Sequence, residues 1–207
     1  MISMDVLVID YGMGNLGSVR RSLEECGARV IVSDNPKDIE SVAKVVLPGV
    51  GAFADGMANL NKLGWVSAIY DAVKKERLPL LGICLGMQLL ADKGYEGGET
   101  AGLGLVPGKV IRLEPDSPNT KIPHIGWNEV NQTKSDYIFN GIDDGTDFYF
   151  VHSYHFVSTD TEHILATTPF CNKFVSAVAA GNIIGVQFHP EKSGYPGLQL
   201  LENFLKI

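Results

Sequence analysis

The chain has 207 residues, enough for one substantial core and too few for two large domains. Apolar residues make up 45% and charged residues 20%, the balance of a folded globular chain rather than a disordered one. The formal net charge of −7, with no basic run, argues against nucleic acid as a partner.

The first ten residues, Met1 to Asp10, have no basic leading segment and only a short apolar stretch. Neither an export signal nor a membrane anchor is expected, and a cytoplasmic location follows as the expectation. Cys26, Cys84 and Cys171 are odd in number and lack C-x-x-C spacing, so no disulfide framework, metal site or cofactor is indicated. Residues 4–9 read as a strand, and after Gly12-Met13-Gly14-Asn15-Leu16-Gly17 a helical pattern runs through Val19, Leu23 and Cys26 to a stop at Gly27. A second strand covers 29–32, Asn35-Pro36 opens a short helix, and a third strand at 43–47 runs into Pro48-Gly49-Val50-Gly51. Helical segments near 54–63 and 65–76 lead to a buried strand at 78–83.

This alternation predicts an α/β fold, a three-layer sandwich of flavodoxin type with a mostly parallel central sheet. Beyond residue 93 the texture changes to β-type runs at 108–113, 126–130, 147–157, 164–168, 174–179 and 183–188, separated by turn clusters. These read as antiparallel strands added in the C-terminal half. An amphipathic helix from Tyr195 through Leu198, Leu201, Phe204 and Leu205 closes the chain. With no repeat and no linker, residues 1–207 form a single predicted domain.

Four stretches have the residue types that chemistry needs. Gly12 to Gly17 fits G-x-G-x-x-G between a strand and a helix, with Asp34 at the end of the next strand, which is the pattern of a dinucleotide site. A tight first turn of a parallel fold reads the same way. The second stretch is Gly82-Ile83-Cys84-Leu85-Gly86, where Cys84 falls between the buried strand and a helix and is flanked by glycines, as at a nucleophile elbow. Taken alone, Cys84 reads first as a small buried residue. The third is His189-Pro190-Glu191, at the end of the apolar run 183–188. In extended chain His189 and Glu191 share a side, so the carboxylate orients an imidazole whose other nitrogen faces a nucleophile. Pro48-Gly49-Val50-Gly51 is a plain turn or an oxyanion loop; in the second case Val50, Gly51 and the Leu85 N–H after the nucleophile supply the donors.

Gly-Ile-Cys-Leu-Gly-Met-Gln at 82–88, His-Pro-Glu-Lys-Ser at 189–193 and Pro-Gly-Val-Gly-Ala-Phe at 48–53 resemble the class I, triad-type glutamine amidotransferases. Asp10-Tyr11-Gly12-Met13-Gly14-Asn15, Pro123-His124-Ile125-Gly126-Trp127-Asn128 and Phe150-Val151-His152-Ser153-Tyr154 are similar, more narrowly, to the glutaminase subunits of imidazole glycerol phosphate synthases. The resemblance spans essentially the whole chain. It implies a glutaminase with Cys84 as nucleophile, His189 as general base and acid, and Glu191 as its orienter. Gln88, Glu96, Ser153 and Tyr154 match substrate-holding positions, and Val50, Gly51 and Leu85 match the oxyanion region. It also implies a (βα)₈-barrel cyclase subunit as partner in a heterodimer, consuming ammonia in histidine biosynthesis, and no nucleotide in the opening glycine loop. A paralogous glutaminase feeding another synthase has the same motifs. A dinucleotide-binding protein built on Gly12–Gly17 and Asp34 is the rival from another class.

Overall fold

The computed structural model describes residues 5–207; Met1 to Met4, with the start of the first expected strand and of the expected leaderless segment, lie outside them. The first half runs β1 (Asp5–Ile9), α1 (Leu16–Glu25), β2 (Arg29–Ser33), β3 (Lys44–Leu47), α2 (Phe53–Lys62), α3 (Trp65–Tyr70), β4 (Leu80–Ile83) and α4 (Leu85–Leu89). The second half holds β5 (Lys93–Gly94), β6 (Thr100–Ala101), β7 (Gly108–Arg112), β8 (His124–Gln132), β9 (Thr146–His152), β10 (Tyr154–Ser158), β11 (Ile164–Thr168), β12 (Phe174–Ala180), β13 (Ile183–Val186) and α5 (Gly194–Leu205).

Strands β2, β1, β3, β4 and β13 lie side by side and parallel in that order. The order is the doubly wound one, with the reversal at β1. Alternate residues go to opposite faces: Val6, Val8, Val46, Leu81, Ile83, Ile184 and Val186 pack with Val19, Leu23 and Phe204 of α1 and α5. Leu7, Ile9, Val45, Leu47, Leu80 and Ile183 pack with Phe53, Leu60, Trp65 and Ile69 of α2 and α3. Helices therefore cover both faces, which is why the interiors of these strands are apolar.

The later strands extend this sheet in antiparallel fashion through β12, β10 and β7, as the sequence leads one to expect. The run at 147–157 is not one strand. It breaks at Ser153, so that β9 pairs with β8 while β10 pairs with β7 and β12. An uninterrupted strand could not join both ladders, and the break places Ser153 and Tyr154 at the rim of the parallel core. The run at 183–188 likewise stops pairing at Val186, and residues 187–189 form the loop beyond it.

The register brings the ends of three strands together. Leu47 stands opposite Gly82, and Ile83 opposite Val186, so the loops after β3, β4 and β13 emerge side by side at one sheet edge. The turn between β4 and α4 is so close that a Cβ on Gly86 would overlap the Leu47 carbonyl oxygen. Gly86→Ala is therefore expected to cost about 3 kcal/mol or more in urea unfolding. Gly17→Ala, which meets nothing within 4 Å, should be neutral or slightly stabilising.

Candidate active site

Cys84 occupies the single residue between β4 and α4, with φ 54° and ψ −108°. A side-chain-bearing residue is strained there, and the strain is held by its N–H donating to the Val186 carbonyl at 2.8 Å. The buried sulfur lies 3.9 Å from the Val151 carbonyl and accepts from the Gln187 side chain at 3.6 Å.

His189 comes from the loop after β13, and its N–H donates to the Tyr149 carbonyl at 2.9 Å. Its Nδ1 meets Glu191 Oε1 at 2.8 Å, with both side chains buried. His189 itself is extended, with φ −104° and ψ 93°, as Pro190 leads one to expect, but the extended chain ends there. Pro190–Lys192 is a turn of 3₁₀ helix with His189 as its cap, and the turn folds Glu191 back onto the ring. Ser193 staples this loop, donating to the His189 carbonyl at 2.7 Å and accepting from the Tyr149 N–H at 3.0 Å. Burial opposes charge on His189, but its contacts with Cys84 and Glu191 outweigh that and hold its pKa above the ordinary imidazole value. Nε2 makes no hydrogen bond of ordinary geometry within the described residues, which leaves it for the sulfur and for a ligand.

A cleft of about 330 Å³ opens on the sulfur and is lined by Val50, Gly51, Leu85, Gln88, Glu96 and Tyr154, with Val151, His152 and Ser153 along the β9–β10 break. All the substrate and oxyanion positions named from the sequence are thus in one place. Two of them also hold the fold. Glu96 Oε2 accepts from the Phe53 N–H at 2.8 Å and so caps α2, whose own cap residue Ala52 offers no side-chain bond. Gln88 Nε2 donates to the Tyr154 carbonyl at 2.8 Å and to Gln187 Oε1 at 3.0 Å.

At the expected oxyanion positions the Leu85 N–H donates to the Gly49 carbonyl at 3.3 Å, so in this conformation the Gly49–Val50 peptide turns its oxygen, not its N–H, to Leu85.

The rival nucleotide site is not assembled. The cleft beside the glycine loop is walled by Asp10, Tyr11, Gly12, Asp34, Asn59, Lys62 and Leu63, and the N-terminus of α1 is not among its walls. That terminus is capped by the Asn15 side chain, which accepts from the Ser18 N–H at 3.3 Å. A pyrophosphate in the cleft would lack the helix dipole that such sites use. No group of three or more His, Cys, Asp or Glu within the described residues is arranged to hold a metal ion.

Sequence reasoning passes over Gln187, Ser193 and the histidine pair behind the cleft. Gln187 has a visible signal, being the one polar residue in the apolar run 183–188. His152 Nδ1 is 2.9 Å from the Tyr154 carbonyl, so it must be the donor. Its Nε2 then accepts from His124 Nδ1 at 3.1 Å, and His124 Nε2 accepts from Asn128 at 3.2 Å. The chain is complete only with both rings neutral.

An elbow cysteine and a carboxylate-held histidine at the carboxyl edge of a doubly wound sheet define a nucleophilic hydrolase site of the amidotransferase kind. Residues 7–207 match the family model described as Glutamine amidotransferase class-I, and the chain belongs to that family. It is 50% identical over 199 residues to the imidazole glycerol phosphate synthase subunit HisH of Moorella thermoacetica, covering 96% of this chain and 93% of the relative. The HisH subunit of Aquifex aeolicus is 49% identical over 202 residues, covering 97% and 96%. The solved structure of PurLQS from Thermotoga maritima has the same fold, with a TM-score of 0.76 at 19% identity over 98% of this chain and 97% of that one.

The neutral histidine pair makes stability depend on pH. Burial pushes His152 down to about 3 and His124 down to about 4. In the unfolded chain both titrate near 6.5, so below that pH the unfolded state binds more protons and stability falls as pH drops. From pH 7 to 5 each ring is expected to remove about 2 kcal/mol. Urea unfolding at the two pH values should show a smaller loss in His152→Gln than in the parent chain.

Proposed function

We propose that this chain is the glutaminase subunit of an imidazole glycerol phosphate synthase, releasing ammonia from glutamine for a second subunit. The observation that carries the reading is the Cys84 sulfur on a cleft lined by Gln88, Glu96, Ser153 and Tyr154, with the buried His189–Glu191 pair interacting with that sulfur. Near-half identity over the full chain to HisH subunits supports the particular synthase.

The chemistry follows from the groups present. Cys84 gives its proton to His189, and the thiolate attacks the side-chain amide carbon of glutamine. His189, held by Glu191, returns the proton to the amide nitrogen, which leaves as ammonia. Water, deprotonated by His189, then opens the glutamyl thioester and glutamate departs. The oxygen of each tetrahedral intermediate needs the N–H groups of Leu85 and Val50, with Gly51 giving the loop its freedom. The Gly49–Val50 peptide must therefore turn over before the site is competent. Such a site is idle at rest and is switched on by events elsewhere.

Ammonia protonates and is lost in water, so a docked partner should receive it. That partner is a (βα)₈-barrel cyclase subunit forming a heterodimer with this chain. It uses the ammonia on a phosphoribulosyl-formimino aminoimidazole carboxamide ribonucleotide and yields imidazole glycerol phosphate for histidine biosynthesis. A surface suited to docking adjoins the site. Ile125, Trp127 and Tyr195 are exposed, and Trp127 leans on Tyr149, whose ring is covered by Lys192 of the His189 loop. No helix of the described residues is long and apolar enough to cross a membrane, in keeping with a cytoplasmic enzyme.

Glutamate release should be low for the chain alone and rise at least tenfold with the cyclase subunit and its ribonucleotide. Cys84→Ala should abolish the release while complex formation persists; retained release would refute the mechanism. Val50→Pro, at a half-exposed position and without the N–H that the turned peptide would present, should bind the cyclase subunit yet show no stimulation. Undiminished stimulation would refute the peptide turn.

A further inference from the structure

Gln187 is fully buried and touches the reacting sulfur, yet no step above uses it. Its orientation can be worked out. The Tyr154 carbonyl can only accept, so the atom of Gln88 that bonds it at 2.8 Å is the amide nitrogen. That nitrogen spends its other hydrogen on Gln187 at 3.0 Å, so the Gln187 oxygen faces Gln88. The Gln187 amide nitrogen is thereby turned to Cys84, 3.6 Å from the sulfur. The assignment starts from a backbone group and admits no flip of either amide.

The Gln187 backbone is equally fixed, since its N–H donates to the Ser176 carbonyl at 2.9 Å on β12. A buried amide costs free energy unless both ends are bonded, and the partners here are a cleft-lining residue and the nucleophile. When the sulfur is a neutral thiol, the contact is a weak hydrogen bond. When the sulfur is a thiolate, it becomes charge-assisted in a site with little water, and such bonds are roughly twice as strong. The preference is thus for the charged form.

Resting on the glutaminase reading, we propose that Gln187 is a further catalytic residue, a fixed N–H donor that stabilises the Cys84 thiolate and aims it at the amide carbon. Gln88 holds that donor in place while lining the same cleft, so the nucleophile and the substrate wall share one hydrogen-bonded chain: Tyr154 carbonyl, Gln88, Gln187, Cys84. The proton that leaves Cys84 still goes to His189, and Gln187 gains and loses none.

The test is the pH profile of Cys84 alkylation by iodoacetamide in the isolated chain, followed on the Cys84 peptide by mass spectrometry so that Cys26 and Cys171 do not contribute. Gln187→Met fills the same space without a donor, and Gln187→Glu keeps the shape but sets a carboxylate against the sulfur. The alkylation midpoint should move up by about one pH unit in both variants. Stimulated kcat should fall about tenfold in Gln187→Met, with KM for glutamine changed less than twofold. A merely space-filling role would leave the Gln187→Met profile in place, and an unmoved profile in either folded variant overturns the proposal. Alkylation needs neither glutamine nor the second subunit, so a parent chain with no stimulated hydrolysis would count against the glutaminase reading alone.

Discussion

The structure depends on a single peptide turn. Between the last residue of β4 and the first of α4 there is room for Cys84 only, and the chain reverses there through φ 54° and ψ −108°. A conformation of this kind persists only where its surroundings over-determine it. Here β3 and β13 flank β4 in register, the Val186 carbonyl takes the Cys84 N–H, and α4 presses so closely on β3 that residue 86 must be glycine. The apolar core on both faces of the sheet is what holds this turn in place. Without the turn the sulfur would lie along the strand and miss the cleft.

The rest of the site is an exercise in satisfying buried polar groups. His189, Glu191, Gln88, Gln187, His124 and His152 are all removed from water, and the Tyr154 carbonyl, which can only accept, fixes the polarity of the chains that run through Gln88 and His152. The neutral pair His124–His152 and the charge-favouring His189 differ in their partners. A carboxylate and a sulfur face His189, while His152 meets a carbonyl and a second imidazole. On the proposed mechanism the one group out of place is the Gly49 carbonyl on the Leu85 N–H, and a peptide flanked by glycine is free to turn over.

Much of this was legible in the sequence because it depends on local pattern. Mostly apolar runs at 43–47, 78–83 and 183–188 with helical stretches between them specify a parallel sheet, and Gly82 and Gly86 about Cys84 specify the elbow. His189 and Glu191 could be paired from their spacing, although Pro190 makes a 3₁₀ turn and not an extended chain. Features set by long-range pairing were not legible. Nothing local to 147–157 says that its two halves join different ladders, since the break at Ser153 arises from β8 claiming one half and β7 and β12 the other. The orientation of the Gly49 peptide and the two-way role of Glu96 likewise depend on partners 36 and 43 residues away. Gln187 was hidden differently. A single polar residue in an apolar run is a signal, but its meaning comes only with Gln88 and Cys84 beside it.

The central claim is that Cys84 forms a covalent glutamyl thioester assisted by His189. The most direct test is to quench the complex with the cyclase subunit and its ribonucleotide in acid during turnover of isotopically labelled glutamine, and to map the label by peptide mass spectrometry. The account predicts one labelled glutamyl group on the peptide containing Cys84, absent when glutamine is omitted. Steady release of labelled glutamate with no adduct on Cys84, or with the label on Cys26 or Cys171, would contradict it.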